Sequence, residues 1–204
     1  MLHWAYLVAI AAEAMSAALI AGRRSMDWFG VCVIACITAL GGGTVRDVLL
    51  GHYPLAWIEH PSYLMVTICA ALATGLLAPF MKRLRSVFLA LDALGLVVFT
   101  VIGCNIAVSV GVPFFIVLVI GVITGTFGGV LRDVLCGQVP LLFQKELYAS
   151  VSLITGLLYL GAQALAVPHG IAMVGAMTIG FVVRMLAIRY HWDMPKFVYK
   201  DEWE

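Results

Sequence analysis

Apolar runs of about twenty residues recur along the whole chain, each long enough to cross the hydrocarbon core of a bilayer as a helix. Hydrocarbon leaves only helices or a closed barrel as spanning structures. Barrel strands alternate apolar and polar residues, whereas these runs are unbroken. Composition agrees: 63% of the 204 residues are hydrophobic and 11% are charged, against roughly 25% charged in a soluble domain. Mean hydropathy is +1.06. The expected class is an all-α membrane protein embedded in a lipid bilayer.

Breakers divide the chain into seven expected spans, at about 4–22, 28–50, 62–80, 87–104, 112–136, 147–166 and 170–189. The first run carries no Lys or Arg ahead of it, unlike a cleaved signal peptide, and is expected to be retained. With seven spans, the loops after spans 1, 3 and 5 and the tail share one side. That side collects Arg23, Arg24, Lys82, Arg83, Arg85, Lys145, Arg189, Lys196 and Lys200, with Arg184 near the end of span 7. The opposite side holds no Lys or Arg, because Arg46 and Arg132 lie within spans 2 and 5. By the positive-inside rule the amino end is outside and the carboxyl end cytoplasmic, in an inner (plasma) membrane. Residues 1–190 are expected to form one transmembrane domain. Residues 191–204, rich in aromatics and charges, are expected to be a cytoplasmic tail anchored at the interface.

The most informative stretch is GGGTVRDVLLG at 41–51, which returns as GGVLRDVLCG at 128–137. A shift of 86 positions places Gly42, Gly43, Arg46, Asp47, Val48, Leu49, Gly51 and Pro54 on Gly128, Gly129, Arg132, Asp133, Val134, Leu135, Gly137 and Pro140. The chain is therefore expected to hold two three-span repeats, about 4–80 and 87–166, followed by a seventh helix. Three spans is an odd number, so the second copy enters the bilayer from the opposite side and the repeats are inverted. Sites in inverted-repeat transporters lie at the repeat interface, on helices interrupted by Gly or Pro. Spans 2 and 5 fit that description.

Each glycine in a helix interior costs ~1 kcal/mol relative to alanine. Two explanations stand beside each other. The glycines loosen the helix and free carbonyls that suit a cation, or they let helices 2 and 5 cross closely. An intramembrane ionisable residue is by default a functional-site hypothesis. The candidates are Arg46, Asp47, Arg132, Asp133 and Glu13, with Asp92 nearer the end of its span. Sequence neighbours on a helix point about 100° apart, and the repeat suggests Arg46 paired with Asp133 and Arg132 with Asp47. Such pairs serve either a polar path or a clasp between the halves. Glu13 is open to three roles: protonated, hydrogen-bonded to backbone, or lining the path. Asp92 is as open to a solvated or capping role as to a functional one. Thr38, Thr100, Asn105, Thr124 and Thr126 are further interior polar groups.

Other chemistry is not indicated. Neither glycine stretch fits GxGxxG or a Walker loop, and no nucleophile–base pair stands out. The five cysteines form no CxxC pair and the five histidines have no HxxxH spacing, so neither a disulfide framework nor a metal site is expected. No basic run points to nucleic acid. The chain is expected to be neither an enzyme nor a cofactor binder.

The doubled glycine-x-x-Arg-Asp-Val motif resembles the trimeric intracellular cation (TRIC) channel family and its bacterial inner-membrane relatives classed as glycine transporters. AEAMSAALIAGRRSMD, LDALGLVVFTVIG and LLFQKELYASVSL are similar to one bacterial branch of that group. The resemblance covers residues 2–190. It implies seven helices, an inverted repeat, a homotrimer and a potassium-permeable pore in each subunit, bounded by kinked helices 2 and 5. On matching positions, Gly41, Gly42 and Gly43 would kink helix 2, and Gly128 and Gly129 helix 5. Animal members carry Lys-Glu-Val where this chain has Arg-Asp-Val, and there the basic residue is implicated in gating and lipid head-group contact. This chain departs from the family at Phe127, where a third glycine is usual, and at Glu13, where many relatives are apolar.

Two functions from different classes follow. One is a monovalent-cation channel for potassium, with sodium as another permeant ion. The other is a carrier for glycine or another small neutral amino acid, whose carboxylate would sit at a half-helix amino end. A membrane subunit with no flux of its own is the third expectation.

Overall fold

The structure is a computed structural model that describes residues 2–80, 83–143 and 147–192. Eight α-helices occur among these residues: α1 (Leu2–Arg23), α2 (Trp28–Leu50), α3 (Ala56–Glu59), α4 (Ser62–Leu77), α5 (Leu84–Val110), α6 (Phe114–Leu135), α7 (Ala149–Ala164) and α8 (His169–Tyr190). Single 3-10 turns follow α4 at Ala78–Phe80 and precede α7 at Leu141–Phe143. Six helices are long and apolar enough to cross a membrane. The expected tail from 193 onward lies outside the described residues, as do Lys82 and Lys145.

Two expected spans differ from what is observed. Span 6 emerges as α7, an apolar helix of 16 residues. At 1.5 Å per residue it is about 24 Å long, short of a hydrocarbon core of about 30 Å. Span 4 extends beyond its expected end at 104 to Val110. The polar Asn105 does not end α5, because the Tyr159 hydroxyl of α7 donates to its Oδ1 at 2.9 Å. A neighbouring helix supplies the partner that water would otherwise provide.

Local chemistry accounts for the helix ends. Asp27 caps α2, its Oδ1 accepting from the Gly30 backbone N–H at 2.7 Å. At the other end Gly51 adopts φ 62° and the His52 N–H reaches back to the Asp47 carbonyl at 2.8 Å. The α6 end repeats this: Gly137 has φ 64° and the Gln138 N–H bonds the Asp133 carbonyl at 2.8 Å. The glycine that closes each Arg-Asp-Val-Leu motif is thus a helix stop.

α1 and α5 are the most enclosed helices. Ala9, Ile10, Ala14, Ala17 and Ala21 of α1 are buried, as are Ala93, Leu96, Val97, Val101 and Ile102 of α5. α2 packs against α1 and α6, and α5 against α1, α6, α7 and α8. α2 and α6 are helical without interruption through 41–43 and 128–129. They cross there in close contact. A side chain at Gly42 would collide with the Thr124 carbonyl, and one at Gly128 with the Thr38 carbonyl. The two contacts exchange under the 86-residue shift, and their order along the chains makes α2 and α6 antiparallel.

This crossing is sensitive to a single methyl group. Gly42→Ala and Gly128→Ala should each destabilise the protein by about 1–3 kcal/mol, because backbone rather than a flexible side chain blocks the space. Gly161→Ala in α7, which meets nothing within 4 Å, should be neutral or stabilise by up to ~1 kcal/mol. Thermal unfolding of the three variants in one detergent would check this; equal melting points would contradict the close crossing.

Candidate functional site

The last turns of α2 and α6 each deliver an arginine and an aspartate into the protein interior. Arg46, Asp47, Arg132 and Asp133 are all essentially inaccessible. A buried guanidinium persists only if paired, and each is paired with its own sequence neighbour. Arg46 Nε and Nη2 donate to Asp47 Oδ1 at 2.9 and 2.8 Å. Arg132 Nε donates to Asp133 Oδ1 at 2.8 Å. The expected pairs Arg46–Asp133 and Arg132–Asp47 do not occur among the described residues.

The reason is the crossing geometry. In the antiparallel pair, Gly42 is level with Thr124 and Thr38 with Gly128, so Asp133 is level with a point near residue 33. At 1.5 Å per residue that lies about 20 Å from Arg46 along the helix. Inverting a repeat sends its copies of a motif toward opposite ends. The three methylenes of arginine then let the guanidinium swing across the 100° offset to the adjacent carboxylate.

Each aspartate has a second role. Asp47 Oδ2 accepts the Ala56 backbone N–H at 3.3 Å, and Asp133 Oδ2 accepts that of Leu141 at 3.0 Å. The carboxylates tie the chain after each helix, beyond Pro54 and Pro140, back to the arginine. His52, half exposed, adds its Nδ1 at 3.3 Å from Asp47 Oδ1.

Beyond this shared scheme the two ends differ. Around Arg46 stand aromatic groups. The Tyr6 hydroxyl lies beside Gly43, and the Tyr6 ring meets Phe99 edge-on at 5.7 Å and Tyr63 at 4.7 Å. Arg46 Nη1 has no hydrogen-bond partner among the described residues. Around Arg132 stand acids. Its Nη1 donates to Asp92 Oδ1 at 2.8 Å and to Ser16 Oγ at 3.1 Å, and lies 3.8 Å from Glu13 Oε2. The guanidinium carbon sits 4.7 Å from the centre of the Phe88 ring. Tyr148, at the start of α7, donates its hydroxyl to Asp92 Oδ1 at 3.4 Å.

The structure therefore brings Glu13 and Asp92 together with Arg132 and Asp133, and leaves Arg46 and Asp47 at the other end. Asp92 is fully buried, so the solvated role does not apply. Thr38, Thr100, Thr124 and Thr126 donate to carbonyls four residues back in their own helices. Gly41 faces Leu131.

Sequence reasoning missed four contributors: Ser16, Phe88, Tyr148 and Arg184. Arg184, counted above among charges near a span end, is buried with its guanidinium 4.9 Å from the Tyr148 ring centre. The 86-residue shift contained one usable signal. It aligns Tyr6 with Asp92 and Glu13 with Phe99; Asp92 and Glu13 lie beside Arg132, and Tyr6, packed on Phe99, lies beside Gly43 at the Arg46 end.

A family model described as Glycine transporter matches residues 3–79 and again 89–164. UPF0126 inner membrane protein YadS of Escherichia coli strain K12 is 38% identical over 199 residues, covering 97% of this chain and 96% of its own. A UPF0126 membrane protein of Vibrio cholerae is 40% identical over 185 residues, 90% of this chain and 77% of its own. The TRIC trimeric intracellular cation channel orthologue from Rhodobacter sphaeroides superposes with a TM-score of 0.89 at 30% identity, covering 93% of this chain and 97% of the other. This chain belongs to the TRIC channel family. A second TRIC cation channel, solved for the basis of its conductance, gives a TM-score of 0.88 at 33% identity over 98% of both chains. The TRIC fold is thus present over nearly the whole chain, and the two segments matched by one family model follow the 86-residue shift.

The pairing can be tested by double-mutant cycles. Arg132→Ala should cost about 3–5 kcal/mol, by leaving buried carboxylates without their counter-charge, and Asp133→Ala about 1–3 kcal/mol, by leaving Arg132 Nε and the Leu141 N–H without their acceptor. The double variant should cost clearly less than their sum. Arg46→Ala combined with Asp133→Ala should be additive within about 0.5 kcal/mol. Coupling in the second pair and additivity in the first, measured by unfolding in detergent, would restore the cross-repeat pairs.

Proposed function

We propose that this protein is a monovalent-cation channel of an inner membrane, with potassium as its main permeant ion. The observation that carries the proposal is the collection of three buried carboxylates, Glu13, Asp92 and Asp133, around one arginine inside the bundle. Solved relatives at 30% and 33% identity are TRIC cation channels. An acid-rich interior lowers the energy of a cation and raises that of an anion.

The path runs inside each subunit, bounded by α2 and α6, past the two Arg-Asp pairs. Seven helices cross the bilayer, α7 being the short one, as two inverted three-helix repeats and a seventh helix. The amino end faces outward, so Arg132 lies toward the cytoplasm and Arg46 toward the exterior. Both arginines are inaccessible, which suits a closed channel. Opening would bend α2 at Gly41, Gly42 and Gly43 and α6 at Gly128 and Gly129, withdrawing the contacts with Thr124 and Thr38. Three copies assemble into a homotrimer, a reading supported by the Rhodobacter sphaeroides relative, which is a trimeric channel.

A second reading rests on one observation, the match of both halves to a model described as Glycine transporter. There the same buried site would pass glycine or another small neutral amino acid by alternating exposure of its two ends.

Purified protein in a planar bilayer distinguishes the two. The channel predicts unitary current steps that reverse near the potassium potential in a potassium chloride gradient. Asp133→Asn should reduce potassium conductance or selectivity. A silent bilayer with correctly inserted protein, together with uptake of labelled glycine by proteoliposomes, would replace the channel with the carrier.

A further inference from the structure

The two ends of the α2–α6 pair carry the same Arg-Asp motif and different charge. Among the described residues, Asp47 is the one carboxylate paired with Arg46; Tyr6 lies beside Gly43 at this end, and Phe99 packs against the Tyr6 ring. Near Arg132, shifted by 86 residues, those positions are Asp92 and Glu13. The groups facing this cluster come from every element packed around it. α1 brings Glu13 and Ser16, α5 brings Asp92, α6 brings Arg132 and Asp133, and the start of α7 brings Tyr148. α8 brings Arg184, over the Tyr148 ring. The charged groups of α2, Arg46 and Asp47, belong to the opposite end, as does Tyr63 of α4, bonded to His3.

Even with Arg184 counted in full, three carboxylates among the described residues face two guanidinium groups. Among the described residues, one negative charge is left without a counter-charge in a site that is 0–3% exposed. A buried group in that position takes up a proton instead of remaining ionised. Geometry says which one. Asp133 accepts from Arg132 Nε at 2.8 Å and Leu141 N at 3.0 Å. Asp92 accepts from Arg132 Nη1 at 2.8 Å. Glu13 is the most weakly served, with Arg132 no closer than 3.8 Å. Its carboxyl group presses on Gly95, where a side chain would overlap Oε1. Ser16 has one hydroxyl hydrogen and makes its shorter bond, 2.9 Å, to the Glu13 backbone carbonyl. The 3.3 Å contact between Ser16 Oγ and Glu13 Oε2 is then free to be made by a proton on Glu13.

We propose that Glu13 holds a proton in this conformation and is a proton site confined to the Arg132 end of the protein. Its release leaves an unpaired carboxylate beside Asp92. That destabilises the closed cluster and favours a conformation in which water or a cation reaches it. Opening therefore rises with pH. The proton site stands on the cluster geometry alone; its coupling to opening rests on the channel function proposed above.

Infrared spectra of reconstituted protein test the site without requiring transport. Wild type at neutral pH should show the carbonyl stretch of a protonated carboxylic acid. Glu13→Gln should abolish the band, and Glu13→Asp should retain it at a shifted frequency. Absence of the band in wild type, or its survival in Glu13→Gln, would overturn the proposal. In bilayers, acidifying the Arg132 side from about pH 8 to about pH 6 should lower wild-type opening by up to about tenfold per pH unit, the limit for one linked proton. Glu13→Gln should show no such slope. Wild-type pH dependence in Glu13→Gln would overturn the coupling. A silent bilayer with the band intact would support the proton site while removing the channel.

Discussion

The close antiparallel crossing of α2 and α6 is the constraint from which the rest of the architecture follows. Gly42 and Gly128 each present a bare Cα to the carbonyl of a threonine on the other helix. Lipid offers helices no hydrophobic drive to associate, so contact must come from packing, which small residues permit. Once the crossing exists, helix rise places everything else. The motif arginines, four residues past each glycine, are carried to opposite ends of the pair. The enclosed helices α1 and α5 then supply the residues that face them.

Those residues make the two ends chemically unequal although their backbones follow one scheme. At each end the aspartate bridges its neighbouring arginine and the amide of a later residue, so the helix stop and the ion pair form a single unit. Around that unit, one end is lined by Tyr6 and Phe99 and the other by Asp92 and Glu13. A duplicated motif is thus used once in a nearly neutral setting and once in an acid-rich one. Buried ion pairs do not by themselves stabilise a fold, because desolvation offsets much of the attraction. Stability alone therefore does not account for unequal charge in an interior made chiefly of Ala, Val, Leu and Ile.

Much of this was legible in the chain. The apolar runs, the repeat and the glycines of the crossing are local or periodic signals. The cross-repeat pairing of Arg46 with Asp133 does not form, because sequence symmetry is not proximity. An inverted repeat relates its copies by a rotation that moves them apart, about 20 Å here by helix rise. Asn105 is legible in the chain as an interior polar group, but its partner, Tyr159, lies 54 residues away and only the packing of α7 on α5 brings the two together. Arg184 was read as a charge near a span end, and its burial beside Tyr148 depends on how α8 docks against α5 and α7.

The chain alone established an all-helical membrane protein, its family, and the residues that had to be accounted for. Hydrophobic length, glycine spacing and rare intramembrane charge are properties of contiguous residues, and contiguous residues suffice to reveal them. Which carboxylate meets which arginine was decided only by tertiary packing. Glu13 and Asp92 join Arg132 because α1 and α5 bring residues 119 and 40 positions distant in the chain to one guanidinium. The balance of charge at that point is a sum over four helices and a loop, and no single stretch of sequence contains it.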